Sequence, residues 1–308
     1  MTLHEIPLER RTLHGHFSRE LEPILTIDSG DTIAFACLDS GWNVEPGVKF
    51  EPRDAELDAG HSLIGPVEVR GARARQTLEI AIQRVVPGRW GWCAAGDWET
   101  PLNRRLGLVT GGVYLKWELD AAAGIGRDER GRELDLRPFL GVLGMPPPEP
   151  GAHSTTPPRV CGGNIDCKEL VAGTRLYLPI PVDGALFSAG DCHARQGDGE
   201  VSQIAIECPL EHGELTLSVR DEPRLRTPMA WTPEGWVTFG FDEDLDEASA
   251  IAIDAMLELM GREHGLERAE ALALASLVVD LRVTQVVNQV QGVHALLPHD
   301  AIRFTRIP

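Results

Sequence analysis

Basic residues are scarce in this chain: 29 Lys and Arg stand against 47 Asp and Glu, a formal charge of −18 over 308 residues. A phosphate backbone or an anionic membrane surface needs Lys and Arg to replace its counterions, so the balance argues against nucleic-acid and membrane partners and for a soluble acidic protein. No uninterrupted apolar run approaches the roughly twenty residues of a membrane span. The opening Met1 to Ile6 has no basic segment leading into an apolar one, and a cytoplasmic location is expected. The six cysteines (37, 93, 161, 167, 192 and 208) contain no C-x-x-C pair, so reduced thiols are expected rather than a disulfide framework or a thiolate zinc knot. G-x-G-x-x-G, a Walker lysine loop and a G-x-S-x-G elbow are all missing, which removes the usual support for nucleotide binding and for α/β-hydrolase chemistry. No internal repeat is evident.

What the chain does have is a hydrophobic content of 43%, ordinary for a globular protein, and enough length for one large β-rich domain or two smaller ones. Period-2 alternation dominates. Ile33, Phe35 and Cys37 share one strand face, and Leu78, Ile80 and Ile82 point to a core while Glu79 and Gln83 point out. Val109 to Leu119 reads as a strand pair, and Glu214 to Arg220 and Trp236 to Phe241 as further strands. A β-barrel or sandwich is the simplest assembly. Near the C-terminus the period changes: Asp246 starts a helix on which Ala252, Ala255, Met256 and Leu259 fall at helical spacing, Gly265 breaks it, a second helix runs from Glu267 to Leu277, and a strand follows to Val287. The expected organisation is an N-terminal β-rich part over 1–145, a central β part over 146–245 and an α+β unit over 246–308, in one assembly.

Several segments carry side chains with more than one use. His14 and His16 sit at strand spacing on one face, either as a metal-binding pair or as a hydrogen-bonded edge strand. Residues 43–61 form a long loop closing on His61. Residues 87–107 hold Trp90, Trp92 and Trp98 with Arg89, Arg104 and Arg105, which either wall and charge a substrate pocket or fill a core or a subunit interface. The stiff Pro-rich run at 145–151 marks a boundary inside the chain, and His153 follows it in a loop.

The chemistry is concentrated between Leu186 and Glu207, where Asp191, His193, Gln196, Asp198 and Glu200 lie between the apolar runs Gly184–Phe187 and Ile204–Ile206, both read as buried strands. Asp191 and His193 are two apart, so on a strand both side chains face one side and can converge on one cation. Asp198-Gly199 suits a hairpin turn that folds Glu200 back beside His193. A polar hairpin with His193 hydrogen-bonded to Asp191 uses the same residues without a metal. Cys192 alternates to the opposite face and is expected to pack.

The string Gly-Ala-Leu-Phe-Ser-Ala-Gly-Asp-Cys-His-Ala-Arg-Gln-Gly-Asp-Gly-Glu from Gly184 to Glu200, preceded by Gly-Gly-Asn-Ile-Asp-Cys-Lys from Gly162 and Leu176-Tyr-Leu-Pro, resembles the signature of the acetamidase/formamidase family of metal-dependent amide hydrolases. The similarity continues through Asp280 to Asn288 and back to Leu25 to Thr32, while the segment 87–107 departs from the family pattern. The resemblance implies a mainly β fold, a β-barrel or jelly-roll-like sandwich with a smaller C-terminal α+β unit. It implies hydrolysis of the C–N bond of a small linear amide of the formamide or acetamide kind to carboxylate and ammonia, by a metal-activated water in a homo-oligomer. Asp166 joins Asp191 and His193 as metal ligands on this basis. Asp198 or Glu200 would move the proton, with Gln196 beside them, and Asn164, Trp92 and Arg104 would meet substrate. Mixed Asp/His ligation favours zinc or iron over calcium, and an oxygen-rich shell would reverse that.

Three other readings stay open: a β-rich metal-containing binding module without hydrolase activity, an amidase for a larger polar amide, and a cysteine-nucleophile amidase at Cys167-Lys168. Adjacent strand residues face opposite ways, which counts against the third. His14, His16, His61 and Asp280 are left without a settled place.

Overall fold

Leu78, Ile80 and Ile82 are fully buried on the strand Thr77–Pro87, as their alternation requires, at the centre of a nine-stranded sheet. Across that sheet the strands run Leu3–Ile6, Asp31–Cys37, Leu210–Arg220, Thr77–Pro87, Arg175–Pro179, Met229–Trp231, Gly235–Asp242, Gln291–Pro298 and Asp280–Gln285. Glu79, expected to point at solvent, is only 8% exposed and lies beneath Arg220, whose Nε is 2.9 Å from its carboxylate. The computed structural model describes residues 1–222 and 224–303, so the end of the expected 246–308 unit lies outside the described residues.

The second sheet has 11 strands, and its central path runs Val113–Asp120, Trp90–Ala95, Glu207–Cys208, Phe187–His193, Phe139–Gly144 and Gly162–Asn164. Ile33, Phe35, Leu176, Leu178, Leu215 and Leu217 of the first sheet share one core cluster with Val67, Leu140, Phe187 and Ala189 of the second. The fold is therefore mainly a β-sandwich, and each fully buried Leu, Ile or Phe in it contributes about 1.5–3 kcal/mol. The nine-stranded sheet takes strands from all three segments that composition suggested.

The helices Leu245–His264 and Arg268–Val278 cover the outer face at the C-terminal end of that sheet. Asp244 caps the first by accepting from the Asp246 N–H at 2.8 Å, and Gly265 ends it in the left-handed conformation. Ala248, Ala252, Met256 and Leu259 form its buried stripe, and Ala255 is half-buried. The strand Gln291–Pro298 divides its side chains between two cores: Val293, Ala295 and Leu297 pack on the helices, while Leu296 joins the sandwich interior.

Local expectations differ where the backbone leaves the strand. Only Leu13–His14 of the His14/His16 segment is paired as a strand, Val109 to Leu119 supplies one strand rather than two, and Ile204–Ile206 is irregular. The long loop at 43–61 carries a small hairpin of Asn43–Glu45 and Val48–Lys49.

The helix and sheet meet at Gly240, where an added Cβ would lie 1.9 Å from the Ala248 carbonyl oxygen and 2.7 Å from the Ala252 nitrogen. Gly240→Ala should push the helix off the sheet and cost about 1–3 kcal/mol in urea unfolding. A variant as stable as the parent would show that this contact relaxes freely.

Candidate metal centre

The strand Phe187–His193 is buried at every residue. Along one edge Ser188 to His193 pair with Phe139–Gly144 except at Asp191; along the other the strand pairs first with Leu63–Val69 and then, from Cys192, with Glu207–Cys208. Asp191 sits where one neighbour gives way to the other and takes φ +59°. A non-glycine residue adopts that conformation at a cost, and such strain clusters at functional sites. Asp166 and Glu200 share it, with φ +52° and +43°.

These turns aim their side chains at one imidazole. His193 Nε2 lies 3.4 Å from Asp191 Oδ1 and 3.3 Å from Glu207 Oε1, and Asp166 Oδ1 is 4.0 Å from Nδ1. Glu207 arrives through the strand register, directly opposite His193. The ring is set by Gln196: its Nε2 donates to the Asp166 carbonyl at 2.7 Å, so its Oε1 accepts from His193 Nδ1–H at 2.9 Å. That assignment leaves Nε2 toward the carboxylates. Phe139 packs edge-on against the ring at 5.1 Å.

Gly141 leaves the space. A Cβ there would stand 2.5 Å from Asp191 Oδ2, 2.6 Å from Asp166 Oδ1 and 3.0 Å from His193 Cε1. Asp166 Oδ2 accepts from Asn288 Nδ2 at 2.8 Å, whereas its Oδ1 makes no hydrogen bond; neither do Asp191 Oδ1, Glu200 Oε2 or Asn164 Oδ1. Burying unpaired polar atoms is costly, and those of Asp166, Asp191 and Glu200 belong to groups that gather at His193. Asp166, Asp191 and His193 form one convergent set, and His193, Glu200 and Glu207 another.

The electrostatics follow from burial. Desolvation, with the charges of Asp191 and Glu207 nearby, pushes the Asp166 carboxyl up to about 8 despite His193. Desolvation and Asp166 hold Glu200 well above its ordinary value. For Asp191, burial is outweighed by His193 and His61, which keep it ionised. Burial also opposes the charge on His193, but Glu207 and Asp191 overcome it and raise its pKa well above the usual value. Asp166, Glu200 and the His193 ring thus hold protons that a divalent cation would replace, and the donor set fits such an ion.

The other candidates lie elsewhere or have other partners. Asn164 is buried beside the site on Gly162–Asn164. Trp92 donates from Nε1 to Asp39 Oδ2 at 2.9 Å and stacks on Tyr114. Arg104 is exposed on the helix Pro101–Leu106 and paired with Glu99. Asp198 faces solvent and pairs with Lys168 at 2.8 Å. Asp280 is exposed and pairs with Arg282 at 3.4 Å. His16 Nδ1 hydrogen-bonds the Leu57 carbonyl, and His61 Nδ1 hydrogen-bonds Thr155 Oγ1. Cys167 is buried, and burial with Glu169 nearby pushes its thiol well above the ordinary value, which removes it as a nucleophile. Glu207 and Asn288 were not singled out from the sequence. Glu207 had a signal, a carboxylate directly after an apolar run; Asn288 had none beyond closing the string from Asp280.

A cavity of 270 Å³ reaches this cluster; Gln196 and Glu200 line it together with Cys93, Trp117, Ile204 and Ile206. The larger hollows of 990 and 970 Å³ are lined by none of the clustered residues.

His14 serves structure. Its Nε2 hydrogen-bonds Ser188 Oγ at 2.9 Å and its Nδ1 the His16 carbonyl at 2.6 Å, and burial lowers its pKa from 6.5 to about 4. A lowered histidine pKa gives stability that is complete above the unfolded value of 6.5 and is lost as pH falls through about 4. His14→Gln should flatten that acid-side loss, by roughly 3 kcal/mol at most; an unaltered pH profile of urea unfolding would remove His14 from this role. Gln196→Leu frees the His193 ring and should weaken divalent-metal affinity by about 10–100-fold in chelator competition with the circular dichroism unchanged. Unchanged affinity would mean the ring is held by packing alone.

Residues 149–304 match the acetamidase/formamidase family. A putative formamidase of Schizosaccharomyces pombe is 26% identical over 303 residues, covering 77% of this chain and 74% of its own length. An acetamidase of Mycolicibacterium smegmatis is 50% identical over 249 residues, and the match covers 61% of this chain and 61% of that relative. The crystal structure of an acetamidase from Bacillus halodurans superposes with a TM-score of 0.83 at 29% identity, over 95% of this chain and 97% of that one. With the fold and the buried Asp166, Asp191 and His193 cluster in place, the match over half its length establishes that the chain belongs to the acetamidase/formamidase family.

Proposed function

We propose that this chain hydrolyses the C–N bond of a small linear amide, releasing carboxylate and ammonia, and that Asp166, Asp191 and His193 hold a divalent cation for the purpose. The observation that carries this reading is the convergence of their buried, partly unpaired atoms over Gly141. When bound, such an ion supplies Lewis acidity, lowering the pKa of a water and drawing electrons from the amide carbonyl. Zinc suits two carboxylates and an imidazole, iron comes next, and ligation by Glu200 and Glu207 as well would favour calcium.

The chain's own residues do the rest. Glu200, buried with Oε2 free and bordering the cavity, takes the proton from the attacking water and returns it to the departing nitrogen. Gln196 keeps His193 in one tautomer. Asn164 Oδ1 is an acceptor without a partner, so it suits the substrate's amide N–H.

The proposal extends to a cytoplasmic homo-oligomer. All six cysteines are free thiols, and Leu272, Leu277 and Leu281 are exposed near one another in sequence at the C-terminal unit.

Elemental analysis of protein purified without chelator, with ammonia release from formamide, acetamide and a longer linear amide before and after chelation, tests the reading. Bound transition metal and chelator-sensitive ammonia release are expected, and His193→Ala should fold yet lose at least about 10²-fold in kcat/KM. A fully active His193→Ala enzyme would end this assignment.

A further inference from the structure

A second convergent group lies outside the Asp166, Asp191 and His193 cluster. Glu169, Asp198 and His294 each present a ligand atom, and these atoms all lie within 4.8 Å of one another. They come from distant parts of the chain: the turn after Asp166, the loop carrying Gln196 and Glu200, and the strand Gln291–Pro298.

His294 has no exposed surface, and its Nε2 makes no hydrogen bond. Its Nδ1 is 2.8 Å from Thr284 Oγ1. With Nδ1–H donating there, the lone pair sits on Nε2, the nitrogen left without a partner. Glu169 is equally buried. Its Oε1 accepts from Arg282 at 2.8 Å, while its Oε2 makes no hydrogen bond. Lys168 approaches Asp198 through Oδ2 at 2.8 Å. Arg137, Arg282 and Lys168 are the neighbouring cations, and Glu234 and Asp280 add carboxylates to those of Glu169 and Asp198, so positive charge is not in surplus. An imidazole nitrogen with no partner and a carboxylate oxygen met only by Arg137 at 3.7 Å, both sealed from solvent, are costly to bury together.

We propose that Glu169, Asp198 and His294 form a second divalent-cation site, of the kind taken by zinc or another first-row transition ion, which fastens the Gln196–Glu200 loop to the last two strands. Two carboxylates and one imidazole are the donor types such ions select. The loop already touches those strands through the Gly199 N–H to Thr284 carbonyl bond of 3.0 Å and the Val286 N–H to Gly199 carbonyl bond of 3.2 Å. The ion adds a side-chain tie between the same partners. Its place is distinct from the first centre, since Glu169, Asp198 and His294 share no residue with the groups around His193.

The test is zinc stoichiometry on the full chain after zinc loading and removal of excess, in the parent, His294→Gln and Asp191→Asn, with anomalous diffraction at the zinc edge from parent crystals. Two ions per chain are expected in the parent and one in each variant, with anomalous density between Glu169 and His294. Anomalous density there stands on its own if His294→Gln fails to fold. One ion that survives His294→Gln but is lost in Asp191→Asn would overturn the second site, its groups then sharing a buried water, and would leave the first intact. One ion with the opposite behaviour would support the second site and sink the first, and an ion-free parent would sink both.

Discussion

Four carboxylates and one imidazole, closed off from water, cannot all carry their ordinary charges, and the architecture around them is arranged to hold that conflict in place. Asp166 and Glu200 keep protons that a solvated carboxyl would have lost, while Asp191 stays ionised against His193. Such a group is stable only if its members cannot drift apart. Gln196 and Asn288 fix two of them through hydrogen bonds of 2.9 and 2.8 Å. The strand register fixes Glu207, and Gly141 admits the carboxylate oxygens by having no side chain.

The fold supplies rigidity by exchanging neighbours along one strand. Phe187 to Gly190 pair with Leu63 to Val67, and His193 pairs with Glu207. Between them Asp191 turns into the left-handed region, which a purely regular strand would not require. The buried core on both sides resists relaxation of that turn.

Local spacing was enough for the parts of this arrangement that are local. Asp191 and His193 face the same way because they are two apart, and Asp198-Gly199 brings Glu200 back because that dipeptide turns readily. Alternation placed Leu78, Ile80 and Ile82 in the core, and Gly265 ended its helix in the left-handed conformation. The remainder depends on long-range pairing. Glu207 reaches His193 only through strand register, and Asn288 reaches Asp166 across 122 residues. Trp92 and Arg104 looked available because their partners, Asp39 and Glu99, are set by tertiary packing and by a surface ion pair. Asp198 and Glu200 are two apart yet part company, since the turn that buries one exposes the other.

The strand Gln291–Pro298 is buried on both faces, with Val293, Ala295 and Leu297 under the helices and His294 and Leu296 turned the other way. A strand of this kind has no permissible slip of one position. A single-residue insertion or deletion within it would send the imidazole among Met256 and Leu259 and expose apolar side chains to the polar interior beside Glu169. Length variation among relatives is therefore expected to fall in the connections on either side and to spare the strand itself, which makes the run from Gln291 to Pro298 a fixed length around which the whole C-terminal unit must diverge.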